Sequence, residues 1–470
     1  MMHPLDRHVA IAGFMGAGKT TVGEEAARRL RRPFFDLDRE IERRTGSTIA
    51  ELFAGPGEPH FRSVEEEIAA ELLAAREPSV LALGGGAVLS PATRAALRER
   101  AVTVLLDVDP ETAWTRVEGA DRPLAQGKEA FLALLEERRP VYEEVADARA
   151  RDADDVVLAA AGVYLERGAL GRLGELVPGD GPVALVSDVH VAGIHGADAQ
   201  LGLGARLAST HTLPVGEEAK TIDAVERLWN ELTLGRRGTL VALGGGCTTD
   251  AAGFVAATYL RGVAWAPVAT TLLAQVDAAI GGKTAIDLPA GKNLVGAFHW
   301  PARVVIDPDV LATLPDAQRA EGMAEVVKTG LLAGEPLWEL PEHELVRRCA
   351  AYKAAVCLRD PLDRGERAIL NLGHTFAHAL EAAAGYEGLT HGRAVALGLL
   401  AALRLSGRPT ATVEDVLAPK PVRVDRERAW AALQRDKKSG LVLLGDDGPV
   451  WDIEVPAADV RRALDALIAG

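Results

Sequence analysis

The chain has 470 residues, 48% hydrophobic and 25% charged, which at roughly 150 residues per domain makes about three compact units and excludes a disordered or collagen-like protein. Fifty-two basic against 67 acidic residues leave a net charge of −15, the wrong sign for a general nucleic-acid binder. No run of about 20 apolar residues offers a membrane span, the opening MMHPLDRHVAIAGF predicts no secretory signal, and three unpaired-looking cysteines (Cys247, Cys349, Cys357) predict a reducing cytoplasm.

In chain order, residues 8–14 are a short apolar run and 18–30 read as a helix. Residues 80–83 and 102–108 read as buried strands, and 129–144 as a helix. This strand–helix alternation predicts a parallel α/β sheet. Around 148–155 the pattern dissolves into small and charged residues. A second α/β series begins near Val183, with strands at 183–187, 239–243 and 304–307. From Pro315 strand signals mostly vanish, and helical periodicity runs to about Leu433. Residues 420–425 and 445–449 read as loops, and no internal repeat is visible. The expected division is 1–158, an α/β sheet, 159–314, a second α/β part, and 315–470, a mainly helical part.

Residues 13–20 read GFMGAGKT, between a predicted strand and a predicted helix. In G-x-x-x-x-G-K-T the glycines let backbone N–H groups curl around phosphate oxygens, the lysine (Lys19) reaches the outer phosphates, and the hydroxyl (Thr20) binds magnesium. Asp36 and Asp38 follow an apolar segment; on alternate positions of a strand end they are expected to point to the same side. Arg62, the run Gly84-Gly85-Gly86 and Arg138 come next, arginines suited to anionic substrates and developing phosphate charge. Asp121-Arg122-Pro123-Leu124 lies in a polar stretch expected to form a closing lid.

In the second half, GGGCTTD at 244–250 follows a predicted strand and precedes an apolar helix, so a pyrophosphate can approach closely at the helix N-terminus. Glu325 and Lys328 share one helical face, as do His374 and His378, and His391 follows in a glycine-flanked turn. Two histidines one turn apart with a carboxylate and a third histidine point to a divalent metal. Arg261, Lys283, Lys292-Asn293, Arg367, Asn371 and Asp436-Lys437-Lys438 add candidates for a phosphorylated substrate. Only ten of the 52 basic residues are lysine, and eight of the ten lie in the motifs named above and below. In an arginine-rich background a lysine hints that an ammonium was needed, since the two cations differ at phosphate sites and in proton transfer.

The first series, GFMGAGKTTVG, FFDLDREIERRTGSTIAELF, GEPHFRSVEEE, LALGGGAV, DRPL and RRPVY, resembles shikimate kinase over residues 5–150. The resemblance implies ATP with magnesium and phosphorylation of the shikimate 3-hydroxyl. It assigns ATP to Gly16, Ala17, Gly18, Lys19, Thr20, Thr21 and the lid arginine Arg122. Shikimate falls to Asp38, Arg62, Gly85 and Arg138, and Asp36 lies near the magnesium.

The second series includes PVGEEAKT, ALGGGCTTDAAGFVAATYLRGV, AQVDAAIGGKTAID, GKNLVGAFHWP, GMAEVVKTG and ERAILNLGHTFAHALE, and resembles 3-dehydroquinate synthase over about 163–445. The resemblance implies NAD on Asp188, His190, Glu217, Lys220, Gly245, Gly246, Asp250, Thr270, Thr271 and Lys292. It implies a zinc or cobalt ion on Glu325, His374 and His391, with His378 handling protons rather than binding metal. The substrate, 3-deoxy-D-arabino-heptulosonate 7-phosphate, would meet Asp277, Lys283, Asn293, Lys328, Lys353, Arg367, Asn371 and Lys437 (preferred over Lys438). Arg261 would reach the phosphate across a dimer formed by this half. Catalysis would fall to Lys328, Asp363 and His378, and in the first half to Lys19. In that family NAD oxidises the carbon-five hydroxyl and is returned unchanged, phosphate leaves by elimination, and an aldol closes the carbocycle. The chain departs from the usual pattern in Arg393 where HGE is common, His190 where asparagine is common, Asp363 where glutamate is common, and a shortened stretch at 406–435. Together the two series predict a bifunctional shikimate-pathway enzyme acting on small molecules. The rival is a small-molecule kinase joined to a metal-dependent NAD polyol dehydrogenase, which would accumulate NADH.

Overall fold

A computed structural model describes residues 4–118, 127–385, 388–436 and 440–469. Arg122 and Lys437 lie outside the described residues. The chain divides into two units, Met1–Gly162 and Val163–Gly470.

The first unit is built on five parallel strands, β1 (His8–Ala12), β2 (Phe34–Asp36), β3 (Val80–Ala82), β4 (Ala101–Leu106) and β5 (Ala148–Ala150), in the order β2-β3-β1-β4-β5. β1, β3 and β4 are buried at every position, as expected where helices cover both faces of a parallel sheet. The segment 148–155, without pattern in the sequence, holds β5 and the start of the helix Ala153–Ala160; a three-residue strand is too short to show a period. That helix is tied to the first unit by the Arg29–Asp154 ion pair. The boundary expected after 158 therefore cuts a helix, and the division falls after Gly162.

The second unit carries six parallel strands, β6 (Val163–Leu165), β7 (Val183–Asp188), β8 (Leu207–Leu213), β9 (Thr239–Gly244), β10 (Ala264–Ala269) and, after a hairpin, β13 (Val304–Ile306). Their order is β6-β13-β10-β9-β7-β8. The chain reverses direction across the sheet between β7 and β9, the switch point where such sheets open a crevice at their carboxyl ends. The antiparallel hairpin is β11 (Lys283–Leu288) with β12 (Gly291–Phe298). A helical layer follows, including Asp316–Ala333, Glu342–Arg359, His374–Ala383 and His391–Leu405, around a core of residues such as Val327, Val356, Phe376 and Leu399. The shortened stretch folds as helices Ala411–Leu417 and Arg426–Asp436, and a second hairpin, β14 (Leu441–Gly445) with β15 (Gly448–Ile453), turns at the loop expected near 445–449. No helix among the described residues is long and apolar enough to cross a membrane.

Candidate active sites

In the first unit the glycine loop leaves the carboxyl end of β1. Gly16 and Gly18 have φ of 78° and 92°, left-handed values that favour glycine. At Gly16 a side chain would also press within 3.1 Å of Val117 Cγ1. The loop delivers the chain into the helix Lys19–Leu30, so its first N–H groups converge where a phosphate would sit. Lys19 Nζ donates to the carbonyls of Gly13 (2.8 Å) and Phe14 (3.0 Å). The Thr20 hydroxyl donates to Asp36 Oδ2 at 2.5 Å.

Asp36 and Asp38 do not share a strand face. β2 ends at Asp36, which caps the helix Leu37–Thr45, and Asp38 lies in that helix's first turn. Alternation therefore fails: Asp36 faces Thr20, while Asp38 lines a cleft with Met15, Phe53, Phe61, Arg62, Glu65 and Arg138. The cleft leaves about 70 Å³ of free volume. Arg62 pairs with Glu65 at 2.6 Å, and Arg138 donates to the Gly85 carbonyl at 3.2 Å. Gly86 leaves room for the Arg62 guanidinium, which a Cβ would displace. Burial pushes the Glu65 carboxyl up, against the pull of Arg62.

In the second unit the glycine turn 244–246 leaves β9 at the switch point and starts the helix Gly246–Thr258. A Cβ on Gly245 would lie 3.0 Å from Thr271 Cγ2, so glycine keeps the approach open. Asp188 ends β7 beside it, accepts from the His190 and Val191 N–H groups at 2.9 Å, and receives the Thr248 hydroxyl at 3.2 Å. Thr270 Oγ1 is buried without a hydrogen-bond partner among the described residues. This turn, the flanking Asp188 and the orphaned hydroxyl suit a nucleotide. Beyond them Lys220 bonds Asp250 at 2.8 Å and also contacts Asn293, and Lys292 bonds Glu217 at 2.5 Å. Burial opposes the charge on Lys220, but Asp250, Glu217 and Asp287 outweigh it and raise its pKa. Burial pushes the Cys247 thiol up to about 12, so it stays a thiol.

Next comes the cluster of Glu325, His374 and His391, whose ligand atoms all lie within 4.8 Å of one another. Glu325 Oε1 is 3.4 Å from His374 Nε2 and 3.6 Å from His391 Nε2. Glu325 is 1% exposed, and neither of its oxygens has a hydrogen-bond partner of ordinary geometry. Burial would raise its pKa, yet Lys328 and the two imidazoles hold it well below the usual carboxylate range. Burial, then the charge of Lys328, pushes His374 down to about 3, leaving a lone pair to offer. Burial also opposes charge on His391, but Glu325 and Glu381 outweigh it and hold it up to about 10; a bound cation would replace that proton. One carboxylate and two imidazoles with an open side suit a catalytic divalent cation. His378 lies outside this trio, its ring centroid 5.6 Å from that of His374.

The anion-binding candidates surround the trio. Asp277 pairs with Lys353 at 2.7 Å and with Lys328 at 3.9 Å, and Lys328 pairs with Glu325. Asp277 sits in a wide π-type turn, Ala274–Ala278, a local geometry frequent at functional sites. Lys283 bonds Asp363 at 2.5 Å, and Arg367 donates to the Gly281 carbonyl at 3.0 Å. Asn371 ends the turn Glu366–Asn371 that leads to His374. Arg261 is not brought to this cluster. It is exposed, left-handed, and forms no ion pair among the described residues. It follows the helix Gly246–Thr258, whose 13 residues put it about 20 Å from the glycine turn.

Family models match this chain in three consecutive stretches: shikimate kinase at 15–166, 3-dehydroquinate synthase N-terminal at 210–321, and 3-dehydroquinate synthase C-terminal at 322–439. The chain is 35% identical to the bifunctional shikimate kinase/3-dehydroquinate synthase of Thermotoga maritima, across 92% of this chain and 93% of that protein. It belongs to the bifunctional shikimate kinase/3-dehydroquinate synthase family. The 3-dehydroquinate synthase of Bordetella pertussis is 38% identical and covers 64% of the chain and 95% of its own length. A solved 2-deoxy-scyllo-inosose synthase, complexed with carbaglucose-6-phosphate, NAD+ and Co2+, is 27% identical with a TM-score of 0.58, across 65% of this chain and 96% of that one.

Several residues of this family member's sites escape a reading of its sequence. Glu65 joins Arg62 in the cleft, Arg116 donates to the Gly16 carbonyl at 3.0 Å, and Asp287 accepts from the Asn293 N–H at 2.8 Å. Glu381 accepts from His391 Nδ1 at 3.2 Å. Glu65, Asp287 and Glu381 lie within stretches quoted above, yet nothing in the local pattern singles them out. Only Glu65 gives a hint, as an acid on the apolar face of Phe61, Ile68, Ala69 and Leu72 with Arg62 three residues before it.

Proposed function

We propose that the first unit transfers the terminal phosphoryl group of ATP, as its magnesium complex, to the 3-hydroxyl of shikimate. We propose that the second converts 3-deoxy-D-arabino-heptulosonate 7-phosphate to 3-dehydroquinate and phosphate, using NAD and one zinc or cobalt ion, in the cytoplasm. The observation that carries the synthase reading is the Glu325–His374–His391 trio, with Lys328 paired to Glu325 and Lys353 joined to Lys328 through Asp277. The inosose synthase relative, solved with NAD+ and Co2+, supports it.

In the kinase, the loop N–H groups and Lys19 would hold the phosphates, while Thr20 and Asp36 would hold magnesium. Arg62 and Arg138 would pair with the shikimate carboxylate, and Asp38 would accept from its hydroxyls. Catalysis is then mainly positioning and charge stabilisation. In the synthase, Glu325, His374 and His391 would hold the cation, and Asp188, Gly245, Gly246 and Thr270 would line the NAD site. Bound NAD would supply a hydride acceptor regenerated within the cycle, and the cation a Lewis acid. The chain's own groups do the rest. Lys353, Lys283 and Arg367 hold the carboxylate and phosphate, Asp277 keeps Lys328 and Lys353 in register, and His378 and Asp363 handle protons.

The test supplies each substrate separately. Shikimate with ATP should give shikimate 3-phosphate; phosphorylation of a nucleoside monophosphate but not shikimate would overturn the kinase reading. The heptulosonate phosphate should release phosphate in step with dehydroquinate while net NADH stays near zero. NADH rising in step with product would favour the dehydrogenase rival.

We further propose a homodimer through the second unit, in which Arg261 serves the partner's phosphate site. Its distance from the glycine turn of its own chain and its lack of an ion pair there support this reading. An Arg261→Ala chain mixed with a His374→Ala chain should recover about a quarter of wild-type synthase activity, since one site of each hybrid dimer is intact. No recovery despite proven subunit exchange counts against the shared site.

A further inference from the structure

The helix Asp316–Ala333 carries Glu325 and, one turn earlier on the same face, Glu321. Glu321 accepts from the Gly392 N–H at 2.6 Å and from the Thr390 hydroxyl at 2.5 Å. These flank His391, the first residue of the helix His391–Leu405. A helix N-terminus leaves its first N–H groups without intrahelical partners. Thr390 is the N-cap, with extended backbone, yet its side chain makes no capping bond because it is turned to Glu321.

The sequence explains why. A threonine cap is normally completed by Glu or Gln three residues on, whose side chain reaches back to the cap N–H. The same chain builds that box at Thr48 and Glu51, where the carboxylate accepts from the Thr48 N–H at 2.8 Å. Three residues after Thr390 stands Arg393, which has no acceptor to offer. Glu321 supplies an acceptor from the neighbouring helix instead, taking the Gly392 N–H and the Thr390 hydroxyl rather than the Thr390 N–H. Gly392 makes the approach possible, since a Cβ there would lie 2.6 Å from Glu321 Cα.

We propose that Glu321 is a positioning residue for the metal site: from the neighbouring helix it accepts the Gly392 N–H that a cap side chain would otherwise take, and so fixes His391 relative to Glu325. One helix then supplies a ligand and fastens the helix that begins with another. Glu381 orients the His391 ring, whereas Glu321 holds its backbone. The inference rests on the metal reading above and deepens it.

The experiment uses the full chain and Co2+, read by its visible absorption against a competing chelator. Glu321→Ala should weaken Co2+ binding about 10- to 100-fold. Glu321→Asp keeps the charge but shortens the reach, and should weaken it too; it serves if the alanine variant fails to fold. In the Glu321→Ala background, Arg393→Gln should restore most of the affinity by closing a capping box within the helix. Arg393→Ala removes the same positive charge without adding an acceptor and should not. Unchanged affinity in Glu321→Asp, or equal recovery by Arg393→Gln and Arg393→Ala, overturns the proposal. A wild-type chain that takes up no cobalt overturns the metal reading itself.

Discussion

His391→Ala is expected to lower dehydroquinate formation by roughly 10³-fold, about 4 kcal/mol of transition-state stabilisation, while shikimate phosphorylation by the same sample stays at the wild-type rate. The loss is large because three groups share one task. Glu325 is buried without a hydrogen-bond partner of ordinary geometry, and removing one imidazole leaves a cation too few ligands there. The kinase is spared because every described residue of its cleft lies within Met1–Gly162. Chelation should produce the same split once excess magnesium is returned: magnesium prefers oxygen-rich octahedral sites and poorly replaces a cation held by two imidazoles. A parallel loss of both activities in His391→Ala would contradict this assignment.

Lys19→Ala is expected to produce the opposite split, a roughly 10²- to 10³-fold fall in shikimate phosphorylation with synthase turnover unchanged. The Lys19 ammonium already lies against the loop, bonded to the Gly13 and Phe14 carbonyls, so it is placed to meet phosphate oxygens without searching for them. Its charge counters the negative charge of the transferring group, which backbone N–H groups alone cannot neutralise. Steady-state rates with coupled ADP detection measure this directly. A Lys19→Ala chain that keeps wild-type kcat would place the phosphates elsewhere.

Local features were legible in the chain. The glycine loop and its lysine, the glycine turn after β9, and the central strands could be read because their residues are contiguous and their chemistry depends on backbone conformation. Buried parallel strands such as Val183–Asp188 and Thr239–Gly244 are built around apolar runs, 183–186 and 240–243. β8, LASTHTL, was invisible: an edge strand alternates exposed and half-buried residues and so carries polar side chains. Asp36 and Asp38 misled for a related reason. The pattern gave no sign that the strand stops at Asp36, and the change of element there turns Asp36 to Thr20 and Asp38 to the cleft.

What the sequence by itself determined is the pair of families, their order, and the residue types available at each site, since motif spacing is set by local backbone geometry. What only the tertiary structure decided is which of those residues meet. His374 and His378 are equivalent by spacing, yet His374 is the one within ligand reach of Glu325 and His391, because the earlier helix carrying Glu325 packs against the helix of His391, which packs in turn against the helix of His374 just before it. Glu65, Glu321 and Glu381 are not singled out among 67 acidic residues; their roles arise from Glu65 and Glu381 being buried against an arginine and an imidazole, and from half-buried Glu321 meeting a helix N-terminus. Burial makes an unpartnered charge costly, so the packing, rather than the local sequence, selects which carboxylates must find partners.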